Sequence, residues 1–245
     1  MKFLVTFGRY VCFVGKMFSR PERFKIYAKN FILELDNLGL SSIFLVTIIS
    51  FFIGAVVTLQ GANNMSSPLL PKALIGFLTR QTLLLEFSST IVSLILAGKI
   101  GSNIASEIGT MRITEQIEAM ETMGVNSVSY LVTPKVVAAM FINPILFVFS
   151  AFIGLIGGLV AGLSAGVVGV GDYIQGLNMD FRVFDIIYSM VKCVFFAFIY
   201  TTIPAFYGYY VQGGALEVGK ASTKAVVDSS IIILMVNLII TQIML

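Results

Sequence analysis

The sequence reads as an all-α integral membrane protein. It has five transmembrane helices, an N-terminal interfacial helix and a further amphipathic helix at the membrane surface. Three observations carry this. Of 245 residues 57% are apolar and only 12% charged, about half the ~25% charge of soluble domains, and mean hydropathy is +0.94. Charge is nearly absent from several runs of about twenty residues, the length of helix that crosses a ~30 Å hydrocarbon core. Between two of these runs lies a polar interruption, Gly98 to Lys135, that keeps apolar residues at helical spacing.

Residues 1–39 form the basic N-terminal segment, with Lys2, Arg9, Lys16, Arg20, Arg23, Lys25 and Lys29. They lack the uninterrupted apolar core and small-residue cleavage site of a signal peptide. Phe3, Phe7, Tyr10, Val14 and Phe18 recur at steps of three and four, with Lys2, Arg9 and Lys16 off that stripe. This pattern predicts a helix lying on an anionic membrane surface; a buried soluble helix is the alternative.

The remainder, 40–245, carries five apolar segments near 40–60, 80–100, 136–163, 184–208 and 226–245. The stretch 73–81 is ambiguous because Arg80 interrupts it. Orientation follows from the bias of basic residues to the cytoplasmic side. With the N-terminus inside, the seven basic residues of 1–39 are joined by Lys99, Arg112, Lys135, Lys220 and Lys224, twelve of the 16 in the chain. Five spans then put the C-terminus on the outer side. Gly154, Gly158, Gly162 and Gly166 fall on one helix face, where the lack of side chains allows close helix approach. Internal packing and a homodimer seam both fit.

Two features bear on chemistry. Glu86 stands among Leu83, Leu84, Leu85 and Phe87, and a carboxylate at membrane depth costs about 3 kcal/mol even on insertion scales. It therefore faces a polar cavity or a structural partner, for which Arg80 and Lys192 are candidates; a proton relay is the weaker reading. The interruption holds Glu107, Glu115, Glu118 and Glu121 opposite Ile104, Ile108, Met111, Ile117 and Met120. An ordered amphipathic helix near 104–124 needs a partner or the bilayer to cover one side.

Other chemistries lack their residues. The chain has no histidine and two distant cysteines, Cys12 and Cys193, so a zinc site, a disulfide framework and histidine-based catalysis are not expected. Gly214 to Ala221 nearly spells a phosphate-binding P-loop, but Ala221 stands where a Mg²⁺-holding hydroxyl is required and no strand precedes it. The expectation is that the chain does not hydrolyse nucleotide and is not an enzyme, without cofactor or metal of its own. Nothing favours nucleic-acid binding.

Read in order, Ala97-Gly98-Lys99-Ile100-Gly101-Ser102, Ala105-Ser106-Glu107-Ile108-Gly109-Thr110-Met111 and Thr114-Glu115-Gln116-Ile117-Glu118-Ala119-Met120 resemble the signature of the MlaE/YrbE permeases. Met123-Gly124-Val125, Tyr130 to Lys135, and Gly213-Gly214 to Val227 extend the match. These permeases are membrane subunits of ABC transporters that move phospholipids between bacterial membranes. The resemblance implies a homodimer in the bacterial inner membrane, with a separate ATPase that binds ATP and Mg²⁺. It also implies a periplasmic MCE-domain partner and, in some systems, a small STAS-domain regulator.

By the same analogy 104–124 is a cytoplasmic coupling helix. Glu107, Met111, Thr114, Glu115, Glu118, Ala119, Met120, Glu121 and Gly124 would meet the ATPase, while Glu86, Leu85 and Phe87 would line a substrate cavity. The chain departs from the family pattern in Leu85-Glu86-Phe87-Ser88-Ser89, where Arg-Glu-x-Gly-Pro is common. It also has Asn126-Ser127 for Asp-Pro, and Lys99 and Lys135 for Arg. The rival reading is a stand-alone secondary transporter or channel, and a third is a passive scaffold for a lipid-transfer complex.

Overall fold

The computed structural model describes residues 2–19, 24–65 and 71–244. Arg20 and Arg23 lie outside the described residues, as does Leu245 at the end of the fifth segment; the side chains of Lys2, Phe3 and Lys25 are also not described. Among the described residues all regular structure is helical.

Helix α1 (Lys2–Met17) is followed by α2 (Phe24–Leu35), which passes through one wide π-helical turn at Asp36–Leu40 into α3 (Ser41–Asn64). The boundary expected at 39/40 therefore falls inside a continuous helix. Then α4 (Ala73–Thr82), a π-helical stretch at Leu83–Ile91, α5 (Val92–Leu96), a second π turn at Ala97–Gly101 and α6 (Ser102–Ile113) run on without a break. Together they make one helix of 41 residues. The ambiguous stretch 73–81 is its beginning, and Arg80 lies within it.

The short α7 (Gln116–Thr122) leads to α8 (Ser127–Ser164), and α9 (Val170–Asn178), α10 (Val183–Tyr209) and α11 (Ala215–Met244) complete the chain. Five helical segments are long and apolar enough to cross a membrane, so the chain is a multi-pass, all-α integral membrane protein.

Lipid tails are as apolar as leucine, so helices in a bilayer cohere through close backbone packing and interhelical hydrogen bonds. The contact of α3 with α8 follows that rule. A side chain at Gly54 would run into the Gly154 carbonyl, and one at Gly157 into the Phe51 carbonyl. Ser50 and Ser150 hydroxyls join across the seam at 2.7 Å. Gly154, Gly158 and Gly162 are thus buried in packing within one chain. Gly166 departs from the expected repeat, since α8 ends at Ser164 and Gly166 occupies a left-handed turn (φ +67°).

The two ends of the bundle differ. At one, the basic end, α1 buries Phe13 and Met17: Phe13 is edge-on to Phe206 of α10 at 5.7 Å, Tyr10 is bonded to Thr202 of α10 at 2.7 Å, and the Met17 carbonyl accepts from Thr133 of α8 at 3.1 Å. The docked stripe of α1 is therefore Tyr10, Phe13 and Met17. Phe7 and Phe18, expected on that stripe, are exposed together with Leu4 and Val11. A helix apolar on two faces suits a position between protein and bilayer interface. At the other end α9 caps α4. Buried Arg80 donates to the Leu177 carbonyl at 2.5 Å and the Asp180 carbonyl at 3.1 Å, and its guanidinium lies over Phe77 and Phe181.

Substituting Gly54→Ala is expected to destabilise the protein by about 1–3 kcal/mol, the range for overpacking a dense core. Gly61→Ala, with open space around it, serves as the control. Equal melting temperatures in detergent would contradict the seam.

Candidate functional site

Glu86 lies in the π-helical stretch of the second span, a geometry that recurs at functional sites. Its Oε1 accepts from Lys192 Nζ of α10 at 2.9 Å. Its Oε2 accepts from Asn237 Nδ2 of α11 at 3.1 Å and Thr90 Oγ1 at 3.2 Å. The Lys192 side chain is fully buried while that of Glu86 is 43% exposed. The ammonium also donates to the Leu85 carbonyl at 3.2 Å and sits 4.3 Å from the centre of the Tyr188 ring. Of the two partners considered for Glu86, Lys192 is the one used; Arg80 is engaged at the α9 end. Leu85 and Phe87 flank the carboxylate and are half-buried.

This arrangement has a clear electrostatic logic. A buried ammonium needs a counter-charge and further acceptors, and Glu86 with the Leu85 carbonyl supplies both. Leu85 lies within the π-helical stretch. The carboxylate keeps its other side open, so the cluster is a structural ion pair with an accessible polar edge. Asn237 and Thr90 were not legible as members. Asn237 is the one asparagine in the apolar run of α11, a signal of the right kind, but nothing in the sequence places it beside Glu86.

At the basic end the polar interruption differs from the single helix expected over 104–124. The second span continues as α6 to Ile113. Glu115 then adopts a left-handed conformation (φ 58°), which no residue with a Cβ can hold inside a helix, and α7 starts in a new direction. Gly124 (φ +78°) ends α7. Gly124 N–H donates to Glu121 O at 2.9 Å and Val125 N–H to Met120 O at 3.1 Å, the paired bonds of a glycine helix stop. Asn126 then caps α8 through Ser129 N–H. Gly124 thus has a backbone task at this corner.

The glutamates expected to point outward remain wholly or partly exposed, but three of the four are engaged by partners within the chain. Lys135, nearly buried in α8, joins Glu107 of α6 at 2.8 Å and Glu34 of α2 at 2.6 Å. Glu118 pairs with Arg112 at 2.9 Å. Glu121 accepts from Tyr209 Oη at 2.6 Å and Ser127 Oγ at 3.0 Å, clamping α7 to the end of α10. The apolar side follows expectation in part: Ile104, Ile108 and Ile117 are buried, while Met111 and Met120 are half-buried. Exposed along this corner are Thr114, Glu115, Gln116, Ala119, Glu121, Thr122, Met123 and Gly124. Among the described residues Glu115 alone of the four glutamates makes no ion pair or side-chain hydrogen bond. The surface presented by α7 is thus small, and its glutamates other than Glu115 are already engaged within the chain.

Two outcomes are expected. Glu86→Gln leaves Lys192 buried without its counter-ion and costs about 2–3 kcal/mol, somewhat less than a fully buried pair. Adding Lys192→Met recovers most of it, and additive losses in detergent unfolding would refute the coupling. Second, the Tyr209 hydrogen bond holds Glu121 below the usual carboxylate range, helped by Ser127 and Arg112 against partial burial. A lowered folded-state pKa contributes docking stability that is full above the unfolded value and lost as pH falls through the folded one. A spin label on Ala119→Cys, in a Cys12→Ser background, should therefore become mobile only in acid below the ordinary glutamate range. In Glu121→Gln its mobility should lose that pH dependence.

A family described as permease MlaE matches residues 31–243. A probable ABC transporter permease protein of Rickettsia bellii is 35% identical over 97% of this chain and 91% of its own length. The intermembrane phospholipid transport system permease protein MlaE of Haemophilus influenzae is 29% identical over 94% of this chain and 88% of its own. The chloroplastic protein trigalactosyldiacylglycerol 1 of Arabidopsis thaliana is 27% identical over 93% of this chain and 65% of its own. With its five-span helical architecture and a family match over most of its length, this chain belongs to the MlaE permease family.

Proposed function

We propose that this chain is the permease subunit of an ATP-driven phospholipid transporter acting between the inner and outer membranes of a bacterium. Two copies form the transmembrane unit. A separate ATPase docks at the basic end, which is cytoplasmic, and an MCE-domain protein receives or delivers lipid at the periplasmic end beside α9. A STAS-domain regulator is a further candidate partner. Orientation rests on the basic residues: Arg9, Lys16, Lys99, Arg112, Lys135, Lys220 and Lys224 gather at the end that carries α1, α6 and α7.

One observation carries this reading beyond family membership. The helix Ala73–Ile113 is continuous from the α9 cap, through Glu86, to the surface turn at Glu115. Forty-one residues at 1.5 Å each make a rod of about 60 Å. The Lys135 triad ties its far end to α2 and α8, and the Glu121–Tyr209 clamp ties the adjoining α7 to α10. A push on α7 passes across the corner at Glu115 into α6 and reaches the Glu86 cluster along one continuous helix, whose π turns are the places where it can change pitch. In this mechanism the open side of Glu86, with Leu85 and Phe87, edges a cavity completed by the second copy. ATPase closure narrows that cavity and moves lipid. ATP and lipid must favour different arrangements for such coupling to work.

The exposed face of α7 is the proposed contact with the ATPase. Ala119→Arg, which adds bulk and charge there without breaking an internal bond, should lower ATPase copurification about tenfold in mild detergent, while membrane insertion is retained. Glu86→Ala should leave that copurification intact and reduce lipid transfer. A chain that purifies from native membranes without an ATPase would move the assignment to a secondary transporter centred on Glu86.

A further inference from the structure

The segment that nearly spells a P-loop is one wall of a groove at the basic end, bounded by α1, the end of α10 and the first turns of α11. The groove encloses about 370 Å³. Arg9 of α1 and Lys220 and Lys224 of α11 line it, with Tyr207 and Tyr210 between them. Its carboxylate, Glu217, is paired with Lys220 at 2.7 Å. Asp228, one turn beyond Lys224, accepts from the Tyr207 hydroxyl. Lys224 lies over the Tyr207 ring at 5.4 Å. Among the described residues neither Lys224 nor Arg9 has a carboxylate within ion-pair distance. Two cations from different helices thus converge on one concavity, neither of them held in an ion pair, while Glu217 is paired with Lys220 and Asp228 is bonded to Tyr207.

The surroundings identify the anion's other half. Beyond Lys224 the outward face of α11 turns apolar and exposed, through Val227, Ile231 and Leu234. A cationic pocket that opens onto an apolar helix face matches an amphiphile with an anionic head. Tyrosines at the rim suit the headgroup level of a bilayer. The site is separate from the Glu86 cluster, since Asn237 lies thirteen residues beyond Lys224 along α11, about 20 Å.

We infer that this groove binds a phosphate group, and that the group is the head of an anionic phospholipid clasping α1 to α11 outside the transport path. The inference does not depend on the proposed transport cycle, because the groove lies within a single chain and its occupancy needs no ATPase.

The chain contains no tryptophan, so Gln212→Trp, at an exposed position in the groove, provides a single reporter. The full chain is placed in phosphatidylcholine nanodiscs carrying a minority of dibrominated phosphatidylglycerol, or the same fraction of dibrominated phosphatidylcholine. Two unpaired cations are expected to enrich phosphatidylglycerol at the reporter about tenfold. Adding Arg9→Gln and Lys224→Gln should reduce its quenching to that of phosphatidylcholine at unchanged melting temperature. Arg182→Gln, a cation at the opposite end, should leave it unaltered.

Inorganic phosphate at fixed ionic strength distinguishes the sources. Enrichment that survives it identifies the lipid headgroup. Enrichment that phosphate removes and chloride does not retains the phosphate site but makes soluble phosphate its occupant, overturning the lipid assignment. Equal quenching by both lipids, or enrichment unchanged in the double variant, overturns the site itself.

Discussion

A helix in hydrocarbon gains nothing by exchanging lipid for another apolar helix, so this bundle must be held by what lipid cannot offer. Those interactions are backbone-to-backbone approach and polar bonds between spans. Gly54 against Gly154 and Phe51 against Gly157 supply the first. Ser50 with Ser150, Asn143 with the Cys193 carbonyl, and Lys192 with Glu86 supply the second. The outward faces, such as Phe44, Phe52 and Phe152 on α3 and α8, then need only be apolar. The same constraint explains why so much of the polar inventory is internal. An unpaired group in the spans costs more than the modest gain of each bond.

That internal polarity organises the second span at two points. In the membrane, Lys192 fixes its π-helical part to α10, and at the basic end Lys135 fixes its extension to α2 and α8. The two lysines differ in setting. Lys192 has one carboxylate, a backbone carbonyl and an aromatic face, whereas Lys135 bridges two carboxylates. Between them the span has no break, only wide turns. A rod pinned by ion pairs a third of the way along and near its far end is suited to passing a displacement along its axis, and this underlies the coupling proposed above.

The surface elements have a different origin. α7 owes its place to an imposed corner: a left-handed residue at Glu115, a glycine stop at Gly124 and the Glu121 clamp. The outward patch that results is small, centred on Ala119 and Met123. α1 is placed by aromatic packing of Phe13 on Phe206 and Tyr209. Its docking also creates the cationic groove with α11, since Arg9 joins Lys220 and Lys224 in the lining only through that contact.

The sequence by itself determined the class, the number of spans and the gathering of basic residues, because hydropathy over twenty residues and the placement of lysine and arginine are properties of the chain. It also marked Glu86 as needing a partner and the glycine repeat as a close-packing face, since the penalties involved are local. It did not determine that 104–124 divides in two. Apolar spacing persists across a corner, and a left-handed glutamate carries no compositional mark. Nor could it separate glutamates that face outward from those committed within the chain. Glu107, Glu118 and Glu121 look alike in sequence, and only the positions of Lys135, Arg112 and Tyr209, brought near by helix packing, decide that they are already engaged. The membership of Asn237 and Thr90 in the Glu86 cluster was decided the same way, by which faces of three spans meet.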